Sequence, residues 1–449
     1  MQRRVEAGLE AQSRSPLDRF LGLFAEVRAG EGLSALLLAV NVFLLLTSYY
    51  IMKPVREALI LTAPGGAELK SYMSAGQTLL LLLFVPAYAR LASRLPRRRL
   101  LNGVTLFFAA CLVAFWLLGT STALPLGVPF FLWIGIFSVS LVAQFWSFAN
   151  DLYTPEQGKR LFAILGFGAS AGAVFGATSV KGLIAPLGLM GSLLVAGAVL
   201  LVSLVFTNWV DARESGRRPS VAKQAGEPMG DENPYRLVFG RRYLLLIALL
   251  ILLLNWVNST GEYILGKVVS EAARAAAAAT PGAPESFVND SIGRFYGDFY
   301  GVVNAASLVV QLFLVSRILK YIGVRAALLI LPVIAFAGYA LAAFVPVLGI
   351  IRWSKTAENA TDYSLMNTLK GVLFLPTTRE EKYKAKQAID TLFMRAGDVL
   401  SAALVFAGTT WLGFAARQFA LVNLGLVLVW LVIALRIGRE FQRLTAAKG

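Results

Sequence analysis

The chain has 449 residues, of which 57% are hydrophobic and only 15% charged, and its mean hydropathy is +0.66. A water-facing surface carries nearer a quarter charged residues, so a set of soluble domains is excluded and a bundle of membrane helices is expected. The single Cys111 excludes an internal disulfide, and the absence of histidine removes the commonest transition-metal ligand and any Ser/His/Asp set, so neither a metal nor a cofactor is expected.

Residues 1–32 carry five arginines and no apolar run long enough for a cleaved signal, and they read as a cytosolic lead-in. A crossing helix needs roughly 20 mostly apolar residues. Such stretches fall at 33–61, 71–94, 99–119, 128–150, 160–183, 188–209, 243–266, 291–317, 324–343, 346–370, 386–414 and 418–438. The tenth is interrupted by Arg352, Lys355, Glu358 and Asp362, and is kept because loop polarity fails without it. With a cytoplasmic N-terminus, the segments expected inside hold 31 of the 42 basic residues, while loops 120–127 and 344–350 hold none. That is the positive-inside pattern, with both termini cytoplasmic. The charge of +16 is therefore mostly a topology signal, and nucleic acid is not expected as a partner; the lipid bilayer is.

The expected organisation is an all-α membrane protein of about twelve helices in two six-helix bundles. A cytosolic segment at 1–32 precedes a bundle at 33–210, a linker at 211–242, a bundle at 243–438 and a tail at 439–449. A break at 270–290, an alanine tract followed by Pro-Gly, falls on the outer side. The end of the fourth span, FWSFANDLYTPEQGKR, is echoed by SLMNTLKGVLFLPTTREEKYKAK at the end of the tenth. Two parallel six-helix repeats suggest the major facilitator architecture, with the substrate path between the halves.

An ionisable side chain inside the membrane costs about 2.5–3.5 kcal/mol and so needs a partner or a water-filled cavity. The first span carries Lys53, Arg56 and Glu57 on one face, beside Pro54. Two cations there suit an anionic substrate; alternatively Lys53 and Glu57 neutralise each other and Arg56 snorkels outward. In the seventh span, Asn255, Asn258 and Glu262 follow helical spacing, and Glu262 either carries a proton or pairs with a base across the cavity. In the eighth, Arg294 and Asp298 are spaced to pair, and Gly293, Gly297 and Gly301 form a packing ladder. The tenth span has Arg352, Lys355, Asn359 and Asp362 along one stripe, facing the pathway or, for its first turns, protruding into water. The eleventh adds Asp390, Arg395 and Asp398. The glycines of GFGASAG at 166–172 serve helix packing, since no phosphate-loop pattern accompanies them.

At KPVREALILTAPGGAELK (53–70), FANDLYTPEQGKRLFAILGFGA (148–169), RFYGDFYGVVNAAS (294–307) and NTLKGVLFLPTTREEKYKAKQAID (367–390) the chain resembles the bacterial and plastid ATP/ADP translocases. The resemblance implies a twelve-helix major facilitator-like fold that exchanges nucleotides in a bacterial plasma membrane. Arg56 and Glu57 match that family's basic–acidic pair and Asp298 its GDF segment, whereas Asp398 follows Gly397 where the family often has lysine.

The reading is a carrier of a nucleotide or other organic phosphate working by alternating access. Lys53, Arg56, Asn258, Lys355, Asn359 and Arg395 are expected to bind substrate, and Glu57, Glu262, Asp298, Asp362 and Asp398 to couple or gate. The alternative is a proton-coupled facilitator using Glu262 or Asp298. A membrane-embedded enzyme ranks last, because no catalytic set is present.

Overall fold

The computed structural model describes residues 15–22, 25–121, 124–153, 155–214, 234–378 and 381–446, and among these there is no strand. Nine helices among the described residues are long and apolar enough to cross a membrane, which makes this a multi-pass membrane protein. The expected first fourteen residues, the centre of the linker (215–233) and the last three residues lie outside the described set.

Helix α1 (Pro16–Leu21) is capped by Ser15, and its buried Asp18 accepts N–H bonds from Gly30 and Gly32, tying α1 to the start of α2 (Gly32–Leu61). The end of the bundle bearing α1 is called proximal here. α2 runs through Pro54 to the opposite, distal end, where Gly65 in the left-handed region (φ 60°) turns the chain into α3 (Gly66–Arg94). α4 (Arg97–Ser121), α5 (Gly127–Phe137) and α6 (Ala143–Leu152) follow, the last two joined by a π turn at Ser138–Val142. α7 (Pro155–Glu214) is two spans folded back at Gly188, whose φ of 68° breaks the helix just after Pro186. At its proximal start Arg160 makes two bonds to Glu31, Nη1 to Oε2 and Nη2 to Oε1, both 3.0 Å. Burial raises the Glu31 carboxyl, but hydrogen bonds from Arg160, the Arg28 amide and Gln157 outweigh it and hold the group below its usual value.

The second half opens with α8 (Pro234–Gly240), so part of the segment expected as linker is helical. α9 (Arg242–Ala278) runs well past 266, because the alanine tract continues the helix rather than breaking it. α10 (Phe287–Val309), a π turn and α11 (Val315–Tyr321) form the next crossing, and α12 (Gly323–Phe344) the one after. α13 (Leu348–Thr361) and α14 (Asn367–Val372) are joined by a π turn at Asp362–Met366. After π turns flanking α15 (Lys386–Ala388) come α16 (Met394–Thr410) and α17 (Ala416–Ala446). The segment expected as a tail after 438 is thus continuous helix to Ala446. Together with α3 and the α13–α14 pair, too polar to count by apolarity, and with α7 counted twice, the helices accommodate the twelve expected crossings.

Within the first half α2 and α7 run parallel in backbone contact. A Cβ on Gly168, Gly172 or Gly176 would strike the carbonyl of Ala39, Phe43 or Thr47, each set advancing by four residues, so the glycines are the condition for the approach. Between the halves α10 meets α7: a Cβ on Gly293, Gly297 or Gly301 would crowd Leu189, Val180 or Thr178. Packing therefore explains both ladders. Gly172→Val is expected to lower the thermal unfolding midpoint in detergent well below that of Gly425→Val, where a Cβ meets open space; equal midpoints would contradict the seam.

Candidate functional site

The fold brings six charges, from four crossings, into one row. Glu57 on α2, fully buried, is paired with its neighbour Arg56 and, through Oε2, with Lys70 of α3 at 2.7 Å. Lys70 continues at 3.5 Å to Glu262 of α9, in the other half. Glu262 approaches Lys355 of α13 at 3.9 Å, and Lys355 ends the row on Glu358 at 3.1 Å. Bases Arg56, Lys70 and Lys355 thus alternate with acids Glu57, Glu262 and Glu358, and the row is neutral.

Neutral groups bond four of the six members, Glu57, Glu262, Lys355 and Glu358. Tyr300 of α10 donates to Glu57 at 3.1 Å and Tyr339 of α12 to Glu358 at 3.0 Å. Asn359 donates to Glu262 at 3.1 Å, and Lys355 donates to Asn258 at 2.7 Å. A charge removed from water is tolerable only with such satisfaction. Glu57 lies four residues from the distal end of α2 and Lys70 four from the start of α3, so the row sits on the order of 6–12 Å below the distal surface.

Lys53 stands apart. Its ammonium is 4.1 Å from the Tyr300 ring centroid and 4.7 Å from that of Tyr50, with Tyr49 at 5.8 Å, and among the described residues it has no ion pair. The cage stabilises a cation through the ring quadrupoles, and no carboxylate of the described residues comes within ion-pair distance of it. Lys53 therefore does not neutralise Glu57; Lys70 and Arg56 do. Arg56, rather than snorkelling, turns back to Glu57 with its guanidinium over the Phe131 ring.

The row is also where the halves join. Above it, Tyr263 and Lys267 of α9 reach Glu68 of α3 at 2.9 and 3.2 Å. Ser270 and Arg274 donate to the carbonyls of Leu61 and Ala63, the end of α2, so the overlong α9 satisfies a helix C-terminus of the other half. These contacts between halves all lie in the distal part of the bundle.

Of the residues singled out by sequence, the structure gathers Lys53, Arg56, Glu57, Asn258, Glu262, Lys355 and Asn359. It does not gather the rest. Asp298 is two residues from Tyr296 and Tyr300 and so faces away from the row; it pairs at 3.5 Å with Lys181 of α7, not with Arg294. Arg395 pairs with Asp398 at 3.4 Å, and Asn255 and Ser259 hold Asp398 from another face of α9. Asp362 pairs with Lys370 further toward the proximal end. Arg352 lies over the Phe295 and Trp353 rings. Lys70, Glu68, Tyr300 and Tyr339 escaped notice, and Glu358 counted only as an interruption. The signal for Lys70 was arithmetic, since Glu57 and Glu262 needed one more base.

Removing one member of the row strands its partner. Lys355→Met is expected to destabilise by roughly 3–5 kcal/mol, and Lys355→Met with Glu358→Gln by clearly less than the sum of the single changes. Additive losses in thermal unfolding would show that the two groups are not a pair.

No protein-family model matches the chain. It is similar to "ADP,ATP carrier protein 1" of Chlamydia trachomatis serovar D, 24% identical over 89% of this chain and 87% of the carrier. The carrier of the same name from Chlamydia pneumoniae is 24% identical over 69% of this chain and 66% of its own length. Among solved structures, the nucleoside transporter NupG superposes with a TM-score of 0.62 at 11% identity, covering 92% of this chain and 99% of that one. A POT family transporter bound to 5-aminolevulinic acid gives 0.63 at 14%, covering 91% and 96%. The fold is accordingly that of the major facilitator-type transporters, as the paired six-helix repeats led one to expect.

Proposed function

We propose that this chain carries a nucleotide, of the ATP or ADP type, or a closely related phosphorylated anion across the bacterial plasma membrane by exchange. The observation that carries the reading is Lys53: a buried, unpaired ammonium beside a neutral row of ion pairs that ties the two halves together. An anion entering from the proximal side meets one free positive charge and a row of bases already occupied by carboxylates. Its phosphate oxygens compensate Lys53 and compete with Glu57 and Glu262 for Lys70 and Lys355. The similarity to carriers named for ADP and ATP supports a nucleotide as the anion.

Exchange follows from the same cost. Opening the distal end without a ligand separates Lys70 from Glu262 and Tyr300 from Glu57 and leaves charges unpaired among apolar helices, at about 2.5–3.5 kcal/mol each. A bound phosphate that replaces the carboxylates lowers that barrier, so the loaded carrier turns over and the empty one waits. The distal end is the outer face and the proximal end the cytoplasmic one, as the 31 of 42 basic residues support. A small anionic substrate and the bilayer are the partners. In this scheme Arg56, Asn258 and Asn359 orient the row, Glu57 and Glu262 gate it, and Asp298, Asp362, Arg395 and Asp398 serve the seams between helices.

In proteoliposomes, uptake of labelled ATP is expected to rise with ADP inside and to fall at least ten-fold in Lys53→Ala, which leaves every ion pair intact. Uptake driven by a pH gradient and indifferent to internal nucleotide would replace this reading with proton coupling.

A further inference from the structure

The proximal end of α4 carries two adjacent arginines that no carboxylate answers. Arg98 donates from Nε to Oδ1 of Asn208, on the second limb of α7, at 3.2 Å. Asn102 donates to the same oxygen at 3.2 Å, and Asn208 returns a bond to Oδ1 of Asn102 at 3.1 Å. The guanidinium is thus held by a neutral amide pair. Among the described residues its two amino groups make no bond, and neither does the exposed Arg99 beside it. Arg160, at the same end of the bundle, is held otherwise, with both amino groups on the carboxylate of Glu31. A loop charge that only orients a helix pair in the membrane needs no such bracket.

Helix geometry fixes the depth of the pair. α4 and the second limb of α7 run antiparallel: a Cβ on Gly119 would strike Met190 near the distal turn, and one on Gly197 would touch Leu112 midway. Arg98 and Asn208 stand about 20 residues from that distal contact, roughly 30 Å along the axes and so one hydrocarbon thickness away. That is the level of lipid phosphates. The arginines open on a depression of about 550 Å3 lined by Pro96, Arg98, Arg99 and Asn102. Distal to it the outward faces are apolar and exposed, Gly103, Leu106 and Phe107 on α4 and Leu201 and Val205 on α7, while the exposed Trp209 stands at the level of the arginines. The second half has a depression of about 460 Å3 at the repeat-related place, between its third crossing α12 and the end of its sixth, α17. Arg325 is the one charged residue of that lining. The hollow therefore belongs to the shared topology, and the bracketed arginine pair is particular to the first half.

We propose that this depression binds a phospholipid of net negative charge from the proximal leaflet, its phosphodiester on Arg98 and Arg99 and its acyl chains along the exposed faces of α4 and α7. Guanidinium groups present paired N–H donors that match the two free oxygens of a phosphodiester. A headgroup with its own ammonium, as in phosphatidylcholine, brings a third cation to the arginines and is disfavoured. The site is independent of what the chain carries, since it lies on the lipid-facing surface of one half. Each arginine at the headgroup level contributes about five-fold to the affinity for an anionic lipid, and the pair on the order of twenty-fold.

The test titrates the purified full-length chain in detergent with phosphatidylglycerol, phosphatidylcholine and glycerol 3-phosphate, read by native mass spectrometry and by thermal stabilisation. The wild-type chain is expected to hold phosphatidylglycerol at least five-fold more tightly than phosphatidylcholine. Arg98→Gln with Arg99→Gln should lose on the order of twenty-fold for phosphatidylglycerol and nothing for phosphatidylcholine. Arg99→Gln alone, at a side chain that bonds to nothing in the protein, should fold as the wild type and lose about five-fold. Arg436→Gln with Arg439→Gln, the same change of charge on exposed residues of α17, should keep the wild-type affinity. Undiminished phosphatidylglycerol binding in the Arg98 and Arg99 variants overturns the inference, as does an equal loss in the α17 variant, which would mean attraction to surface charge at large. A wild-type chain that takes phosphatidylcholine as tightly overturns it too. So does a matching loss of glycerol 3-phosphate in the Arg98 and Arg99 variants, which would make the occupant a free phosphate compound rather than a lipid.

Discussion

The carboxylate of Glu57 is the constraint from which the rest of the centre follows. It is wholly buried, about one turn after a proline within a crossing helix, and survives there because Arg56, Lys70 and Tyr300 converge on it from α2, α3 and α10. Lys70 in turn needs Glu262, and Glu262 needs Lys355 and Asn359, which places five helices from both halves in one register. Such a chain is poor evidence of raw stability, since isosteric apolar packing in the same volume would serve as well. In the exchange mechanism proposed above the row is broken and remade, and a polar ligand offers its bases an alternative partner.

The seams around the row are built for that. α2 and α7 are locked backbone to backbone by Gly168, Gly172 and Gly176, a contact inside one half that has no reason to move. Between halves the contacts are more mixed: hydrogen bonds from Ser270 and Arg274 to the end of α2, Tyr263 and Lys267 on Glu68, the Tyr72 and Phe406 rings between α3 and α16, and the glycines of α10 against α7. Rigid halves with a separable distal rim are what rocking about a central site requires.

Most of the fold was legible because hydropathy and loop charge are strong signals: the apolar runs marked the crossings, and even the polar tenth was recovered from loop polarity. The errors lay at boundaries. Ala275–Ala278 read as a break because alanine tracts carry little hydropathy contrast, yet alanine is the best helix former and prolongs α9. The site was legible as a set of charges but not as a set of pairs. Lys70 fell one residue before the expected second span and so never counted as a membrane charge, although it is the base that joins the halves. Asp298 was conspicuous in sequence and proved peripheral, because i and i+2 on a helix face opposite ways and its neighbours Tyr296 and Tyr300 took the inner side.

The central claim, that the ion-pair row is the latch of the distal end, is open to a direct distance measurement. Leu124 and Glu285 are exposed in distal loops of opposite halves, and Cys111 is the sole native cysteine. Spin labels on Leu124→Cys and Glu285→Cys in a Cys111→Ala background report the gap between the halves by pulsed dipolar spectroscopy. Adding Glu57→Gln and Glu262→Gln, which neutralise the acids without changing their shape, should raise a long-distance population with no nucleotide present. A distribution identical to that of the unneutralised chain would mean that something other than these charges holds the halves together.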